Sequence, residues 1–312
     1  MKVLFVGCGA IGSILAAYVS AQSKVYVYDP WKEHTDVIVR NGIKVTGKAE
    51  FVAKGIIASS EPEFISSHVF DAVAVAVKSI NTLEAVHTIK PHLKGRPVIL
   101  TVQNGVGNEA IIAQHWVADV ICQGVTSLAG TLKEPGHVTI EKIGKTWMGP
   151  IGRDDADKSA QLGSLFRNSG LDAEVLPDPR GAVWAKLLFN AAINPLTAIL
   201  QIPSKHLIDI SYARDIMQTV LDEGRAVARQ LGIELPYNPE EAVFAPRTAA
   251  HFSSMAQDIQ SGRPTEIEFI NGAIIQAAKE AGLEVPVNEW LTSLVKTLEW
   301  KNKHLNEEVE CQ

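Results

Sequence analysis

Short apolar runs separated by longer mixed segments dominate the first half of the chain. The runs are rich in β-branched residues and end at glycine, proline or polar residues, which is typical of strands buried on both faces. Between the first two, Ile11–Ala21 has the length and alanine content of a helix. The predicted strands are Lys2–Val6, Val25–Tyr28, Ala72–Val77, Val98–Val102 and Val120–Val125.

Strands that alternate with helix-sized segments form parallel sheets with right-handed crossovers. The pattern therefore predicts an α/β domain with a doubly wound parallel sheet over residues 1–175, with Glu134–Ile151 as later strands near its edge. Beyond Leu176–Pro179 the pattern changes to long helical segments broken by proline or glycine, so residues 176–312 are predicted to be all-α. The predicted helices are Gly181–Leu200, Ile208–Leu231, Asn238–Ser261, Pro264–Ala281 and Asn288–Asn302.

Composition excludes several classes of protein. A chain of 312 residues with 46% hydrophobic and 21% charged residues is typical of a globular protein of two domains. The net charge of -6 argues against nucleic-acid binding, and no apolar run of membrane-spanning length or secretory signal is apparent. Cys8, Cys122 and Cys311 have neither disulfide-framework nor metal-ligand spacing, so we expect a cytoplasmic protein without a structural metal.

The first predicted strand runs directly into Gly7, Gly9 and Gly12, a G-x-G-x-x-G sequence that includes Ala10 and Ile11. A tight turn, close approach of a pyrophosphate and close helix–strand packing each require a residue without a side chain. The start of the following helix offers unpaired amides and a positive dipole end to phosphates. The pattern indicates a Rossmann-type dinucleotide site, with a purely structural glycine turn as the alternative.

Asp29 ends the second predicted strand, where an acid can accept hydrogen bonds from the adenine ribose hydroxyls and repels a 2′-phosphate. Pro30 follows it, at a position where NADP enzymes often have arginine. We therefore expect NAD(P)H as cofactor, with NADH favoured from Asp29 and Pro30. Lys32 is near enough in sequence to bind a 2′-phosphate instead, and Asp29 as a solvated acid at a strand end is a further alternative.

Lys186, Asn190 and Asn194 are four residues apart on the first helix of the second half. Each step of four advances about 40° around a helix, so the three side chains share one face. Their neighbours are apolar, and the strip is either a solvated stripe or a polar surface in a cleft.

With these features, the chain resembles the ketopantoate reductase (2-dehydropantoate 2-reductase) family, and the resemblance extends nearly from end to end. Six motifs occur in order along the chain. They are G-C-G-A-I-G at 7–12, V-K at 77–78, Q-N-G-V-G-N-E at 103–109, K-L-L-F-N-A-A-I-N-P at 186–195, S-M-A-Q-D-I at 254–259 and G-R-P-T-E-I-E-F-I-N-G at 262–272.

The resemblance implies reduction of ketopantoate to pantoate by hydride transfer from a nicotinamide to a 2-keto acid. Lys186 matches the family's catalytic lysine, which protonates the carbonyl oxygen, and Glu266 matches the acid that works with it. The resemblance also implies substrate binding by Asn190, Asn194 and Ser254.

Lys78 and Asn104 match residues of the cofactor domain that lie near the nicotinamide and its ribose. Several of these positions also have a simple structural interpretation. A lysine often ends a strand, Asn104-Gly105 is a turn signal, and Glu266 complements a helix dipole or stands beside a capping box.

Two other functions remain open. One is a 3-hydroxyacid dehydrogenase, or a reductase of another 2-keto acid, since such enzymes place a lysine and an asparagine one helical turn apart. The other is a dinucleotide-sensing protein without catalysis. We expect a small-molecule substrate and neither nucleic acid nor membrane as partner; an apolar helix such as Val285–Leu298 indicates either a homodimer interface or internal core.

Overall fold

The computed structural model describes residues 1–116, 120–151, 156–245 and 252–310, and it divides into two compact units. The first, called here the sheet unit, contains Met1–Gln103 and Asn108–Pro179. The second, called the helical unit, contains Asn104–Gly107 and Arg180–Gln312. The four residues 104–107, which interrupt the sheet unit along the sequence, therefore belong to the helical unit.

The sheet unit consists of strands that alternate with helices in its described part. Its helices are α1 Ala10–Val19, α2 Lys32–Asn41, α3 Thr82–Ile89, α4 Asn108–His115 and α5 Ala156–Asn168. Its strands are β1 Lys2–Val6, β2 Lys24–Tyr28, β3 Ile43–Gly47, β4 Phe51–Ala53, β5 Ile57–Ser59, β6 Ala72–Val75, β7 Val98–Thr101, β8 Val120–Thr126, β9 Ala129–Glu134, β10 His137–Lys142, β11 Thr146–Pro150 and β12 Ala173–Val175.

The main sheet of the described chain has eight strands in the order β12-β11-β8-β7-β6-β1-β2-β5. From β8 to β5 all neighbours are parallel, whereas β11 is antiparallel to β8. Every residue of β6 and β7 is buried, as expected for strands covered on both faces. The predicted α/β fold class is confirmed, and the five predicted strands are present as β1, β2, β6, β7 and β8.

The later strands only partly follow the prediction of a sheet edge at Glu134–Ile151. β11 joins the main sheet, but β10 belongs to a second sheet with the order β4-β3-β10-β9. The turn between β9 and β10 contains Gly136 at φ +72, and the buried Val138 and Ile140 alternate with more exposed residues. A hairpin of this kind buries one face only, and the prediction missed it by treating the whole segment as edge strands.

The helical unit contains α6 Arg180–Leu200, α7 Ser211–Gln230, α8 Pro239–Phe244, α9 Ser254–Gln260, α10 Asn271–Ala281 and α11 Pro286–Glu310. α6 is at its centre and packs against α7, α8, α9 and α11. It is long and apolar enough to cross a membrane, but 78% of its most apolar window is buried inside the protein, as in the core helix of a folded domain.

Two helix predictions are wrong in extent. The predicted helix Asn238–Ser261 is interrupted: α8 ends before Ala245, whose backbone is extended. A separate helix, α9, begins after Ser253, whose hydroxyl accepts a hydrogen bond from the Ala256 amide. Residues 246–251 of that prediction lie outside the described chain. The predicted helix Pro264–Ala281 begins only at α10. A 3-10 turn, Ile267–Phe269, precedes it, and the ψ of -90 at Ile270 breaks the helical path.

One buried histidine leads us to expect that the stability of the sheet unit depends on pH. His34 on α2 is fully buried, and its Nδ1 accepts a hydrogen bond of 3.0 Å from the Gly136 amide. Burial lowers the pKa of His34 below its ordinary value, and the Asp29 carboxylate and the Cys8 backbone only partly offset that effect.

Because the pKa is lowered in the folded state, the unfolded chain binds more protons once the pH falls below about 6.5. We expect the melting temperature to fall more steeply between about pH 7 and about pH 5 in the wild type than in a His34→Asn variant. The asparagine oxygen can still accept the Gly136 hydrogen bond but does not titrate. Thermal unfolding across this range measures the difference, and parallel curves for the two proteins would contradict the role of His34.

Candidate active site

The glycine turn at the end of β1 has a different constraint at each glycine. Gly7 has φ +89, and a Cβ there would lie 2.7 Å from the Val77 backbone nitrogen. A Cβ on Gly12 would lie 2.2 Å from the Gly7 carbonyl oxygen. At Gly9, by contrast, a Cβ would have nothing within 4 Å. The turn is therefore closely packed on its inner side and open at Gly9.

This geometry fits a bound pyrophosphate. The open space at Gly9 is where a phosphate can approach the backbone, and Ala10 and Ile11 form the first turn of α1 beside it. Within the described chain no side chain caps α1, and its first turn contains no acid. Its amides and its dipole thus remain available to an anion.

Asp29 lies at the carboxyl end of β2 and is bound to the glycine turn. Its Oδ2 accepts a hydrogen bond of 2.7 Å from the Cys8 amide, and its Oδ1 accepts one of 3.0 Å from the Trp31 amide. Each carboxylate oxygen can accept a second bond, so the group can still bind ribose hydroxyls. Lys32 forms an exposed ion pair with Asp36 at 2.9 Å.

A buried hydrogen-bond network holds the carboxyl ends of β6 and β7. The Gln103 side-chain amide donates to the Val77 carbonyl at 2.9 Å and to the Thr82 hydroxyl at 2.7 Å. The Thr82 hydroxyl in turn donates to the Asn108 side chain at 2.7 Å. Lys78 directly follows Val77 and precedes the 3-10 turn Ser79–Asn81 as its N-cap residue. This network was not predicted from the sequence, although Gln103 and Asn108 belong to one of the motifs.

In the helical unit, three predicted site residues form one hydrogen-bonded chain. The Lys186 ammonium donates to Asn104 Oδ1 at 3.0 Å, and Asn104 Nδ2 donates to Glu266 Oε2 at 3.1 Å. Lys186 is half-buried on α6, whereas Glu266 is only 9% exposed. Asn104 was predicted near the cofactor from the family resemblance; the structure joins its side chain to the lysine and the acid.

Close backbone packing brings Asn104 to this position. The Val106 amide donates to the Phe269 carbonyl at 3.0 Å, which attaches the Asn104–Gly107 segment to the turn that follows Glu266. Gly105 has φ +82, and a Cβ there would lie 2.1 Å from the same carbonyl oxygen. Only glycine combines this positive φ with the absence of a side chain that would overlap the Phe269 carbonyl.

Asn190 and Asn194 follow Lys186 along α6 at successive turns. They are 8% and 5% exposed, and neither side-chain amide forms a hydrogen bond with another residue that the structure describes. Amides this deep in a protein are normally paired. Donors and acceptors that have no partner among the described residues suit a polar ligand.

Ser254 is exposed at the first position of α9. The preceding Ser253, which the sequence did not single out, connects α9 to α6: its hydroxyl lies 2.6 Å from the Thr197 hydroxyl. Thr197 also donates to the Asn194 carbonyl at 2.9 Å. The start of α9 is thus held beside the turn of α6 that contains Asn194.

The arrangement can donate a proton and bind a polar substrate. An ammonium held by an amide oxygen is a directed donor, and it stabilises negative charge that develops on a carbonyl oxygen. Among the described residues no group of three or more histidine, cysteine or acidic side chains could hold a metal ion. A Rossmann-type sheet unit and a helical unit with a lysine, an amide and an acid together define a two-part dinucleotide-binding protein of the dehydrogenase type.

The comparisons with known proteins identify the family. Residues 3–153 match the family described as ketopantoate reductase PanE/ApbA, and residues 178–299 match its C-terminal domain. The chain belongs to the ketopantoate reductase family.

Relatives and solved structures match over nearly the whole chain. The 2-dehydropantoate 2-reductases of Pyrococcus horikoshii and Archaeoglobus fulgidus are 33% and 31% identical, and each alignment covers 96% of this chain and 98% of the relative. A PanE/ApbA family ketopantoate reductase from Ralstonia eutropha has a TM-score of 0.88 at 31% identity, covering 97% and 100% of the two chains. A D-mandelate dehydrogenase solved with NADH and anilino(oxo)acetate also has a TM-score of 0.88, at 28% identity, covering 97% and 99%.

The difference between Gly9 and Gly12 is testable with two variants. Gly9→Ala should keep the melting temperature within about 2 °C of wild type, because the added methyl meets no protein atom. It should nevertheless weaken nicotinamide dinucleotide binding roughly tenfold or more, since the methyl occupies the space that a pyrophosphate needs. Gly12→Ala should lower the melting temperature itself, through its contact with the Gly7 carbonyl.

Thermal unfolding without ligand and titration of NADH and NADPH by fluorescence separate the two effects. Undiminished dinucleotide binding by Gly9→Ala would show that the pyrophosphate does not bind at this turn.

Proposed function

We propose that the chain reduces 2-dehydropantoate (ketopantoate) to pantoate with NADH or NADPH. The hydrogen-bonded chain of Lys186, Asn104 and Glu266 is the observation that most supports this proposal, in a member of a family whose relatives are named 2-dehydropantoate 2-reductase. In this proposal residues 1–175 bind the cofactor, and residues 176–312 supply most of the substrate-binding and catalytic groups. The proposed location is the cytoplasm.

A bound reduced nicotinamide supplies the hydride that reaches the carbonyl carbon of the keto acid. The Lys186 ammonium donates a proton to the carbonyl oxygen at the same time, so that a ketone becomes a secondary alcohol with no net charge on the new hydroxyl. Asn104 holds the lysine through its side-chain oxygen, and Glu266 fixes the orientation of the Asn104 amide.

The substrate's other polar groups have proposed partners as well. Asn190 and Asn194 bind its distal hydroxyl with amides that have no described partner, and Ser254 donates to its carboxylate. Gly7, Gly9, Ala10, Ile11 and Gly12 form the proposed pyrophosphate site; Lys78 is the proposed residue near the nicotinamide and its ribose.

A second candidate is reduction of a different 2-keto acid by the same residues. The observation that favours it is the structural match to D-mandelate dehydrogenase, which has the same fold and was solved with NADH and a ligand named as an oxoacetate. A homodimer with an apolar helical interface stays a prediction.

The role of Lys186 predicts a loss of turnover without a loss of cofactor. Lys186→Ala should lower kcat for 2-dehydropantoate by about 10³-fold, because both the proton donor and the positive charge are removed. The dissociation constant for NADPH or NADH should change less than about threefold, a change of under about 1 kcal/mol.

Steady-state kinetics together with dinucleotide titration measure both quantities. Lys279→Ala, which removes a lysine from the last turn of α10, is a matched control and should keep wild-type kcat. Full activity of Lys186→Ala would refute the proposed proton donor.

The preference between the cofactors is a separate part of the proposal, and it depends on Asp29. Initial rates of 2-dehydropantoate reduction with each cofactor should give a kcat/KM for NADH at least about tenfold above that for NADPH, because the Asp29 carboxylate repels a 2′-phosphate. The opposite preference would instead make Lys32 the phosphate partner. Lys32→Ala would then raise the KM for NADPH and leave that for NADH unchanged.

A further inference from the structure

A proline interrupts the hydrogen bonds of α6 within the polar strip. Pro195 lies inside the helix, directly after Asn194. Since proline has no amide hydrogen, the Ala191 carbonyl one turn earlier loses its usual helical donor. Both residues are buried, and an unpaired buried carbonyl would destabilise the fold.

A side chain from another helix replaces the missing donor. Asn271, the first residue of α10, donates from Nδ2 to the Ala191 carbonyl at 3.2 Å. The same amide nitrogen donates to the side-chain oxygen of Asn288 at 3.0 Å. Asn271 and Asn288 both have 0% exposure, so water cannot take over either hydrogen bond.

The network continues from Asn288 to a charged group. Asn288 Nδ2 donates to Glu223 Oε2 on α7 at 2.7 Å, and the backbone amides of Val287 and Asn288 donate to the same carboxylate at 2.9 and 3.1 Å. A carboxylate with three donors holds Asn288 in one orientation. In that orientation Asn288 Oδ1 accepts a hydrogen bond from Asn271 Nδ2. The Asn271 nitrogen is thereby held between Asn288 Oδ1 and the Ala191 carbonyl oxygen.

The position of the Ala191 carbonyl matters for the candidate active site. It lies between Asn190 and Asn194, and a helix bends more easily at a proline because one hydrogen bond of its backbone is missing. The part of α6 before the proline contains Lys186, and the part after it contains Thr197, whose hydroxyl binds the Asn194 carbonyl. The missing helical hydrogen bond spans residues 191–195, so any change in the path of the helix there moves Asn194 relative to Lys186, and displacements of about 1 Å can lower activity about 10²-fold.

We propose that Asn271 is a positioning residue for the reaction: by binding the carbonyl that Pro195 leaves without a donor, it sets the path of α6 through residues 191–195 and hence the placement of Asn194 relative to Lys186. This inference rests on the proposed function for its kinetic consequences. Asn271 does not touch the substrate in this proposal. It acts through α6, and its effect should appear in the use of the keto acid and not in the binding of the dinucleotide.

The test is a double-mutant cycle of Asn271→Ala and Pro195→Ala. With alanine at position 195, the new amide can donate to the Ala191 carbonyl, and Asn271 is no longer needed there. Asn271→Ala alone should raise the KM for 2-dehydropantoate by roughly tenfold, with the dissociation constant of NADH within twofold of wild type. In the Pro195→Ala background the same substitution should change KM by less than about threefold.

Stability should follow a different pattern. Asn271→Ala lowers the melting temperature in both backgrounds, because Asn288 loses its donor whichever residue occupies position 195. Asn302→Ala is a matched control, since Asn302 Nδ2 donates to the Ile259 carbonyl at 2.7 Å and not to α6. It should lower the melting temperature and leave KM unchanged. A KM effect of Asn271→Ala that is equal in both backgrounds, or absent from both, would overturn the inference.

Hydrogen exchange distinguishes this inference from the proposed function. Asn271→Ala should speed amide exchange in residues 192–199, and Pro195→Ala should reverse the change. If the wild type reduces no 2-keto acid, the proposed function fails while these exchange rates still decide whether Asn271 holds α6. Unchanged exchange in Asn271→Ala would refute the positioning role.

Discussion

The candidate active site depends on one backbone contact, between Gly105 and the Phe269 carbonyl. Any side chain at residue 105 would overlap that oxygen, and the hydrogen bond from the Val106 amide uses the same acceptor. Because the Asn104–Gly107 segment is attached at this point, Asn104 can bind Lys186 and Glu266 at once. Without the contact, the lysine would lose the neutral oxygen that directs its ammonium.

Each unit has a local backbone feature on which its candidate site residues depend. In the sheet unit the feature is the glycine turn, where the missing side chains of Gly7 and Gly12 permit close packing and that of Gly9 leaves open space. In the helical unit the feature is Pro195, whose missing amide hydrogen leaves a carbonyl that Asn271 binds. In the glycine turn it is the missing side chains, and in α6 the missing amide hydrogen of Pro195, that determine which polar groups can approach the backbone.

Several features could be predicted from the sequence because one signal is sufficient for each. β1 leads directly into the glycine turn, and Asp29 follows the last residue of β2. Lys186, Asn190 and Asn194 share a face of α6 by spacing alone. The place of Asn104 in the helical unit could not be predicted in this way. The segment Asn104–Gly107 has only four residues, too few to show a periodic hydrophobic pattern. The break after Phe244 was missed for a similar reason: Ala245 is compatible with a helix, and only the packed structure makes it extended.

The chemistry of the helical site is dominated by neutral amides. Asn104, Asn190 and Asn194 supply both donors and acceptors, while the positive charge is that of Lys186. Amides bind hydroxyl and carbonyl groups in either direction and do not titrate near neutral pH. The site can therefore orient an uncharged part of a substrate with groups that carry no charge themselves. A site with one charged donor and several neutral amides suits a keto acid with a second polar group. For the same reason, the turns of α6 that contain Asn190 and Asn194 need to be held as firmly as the turn that contains Lys186.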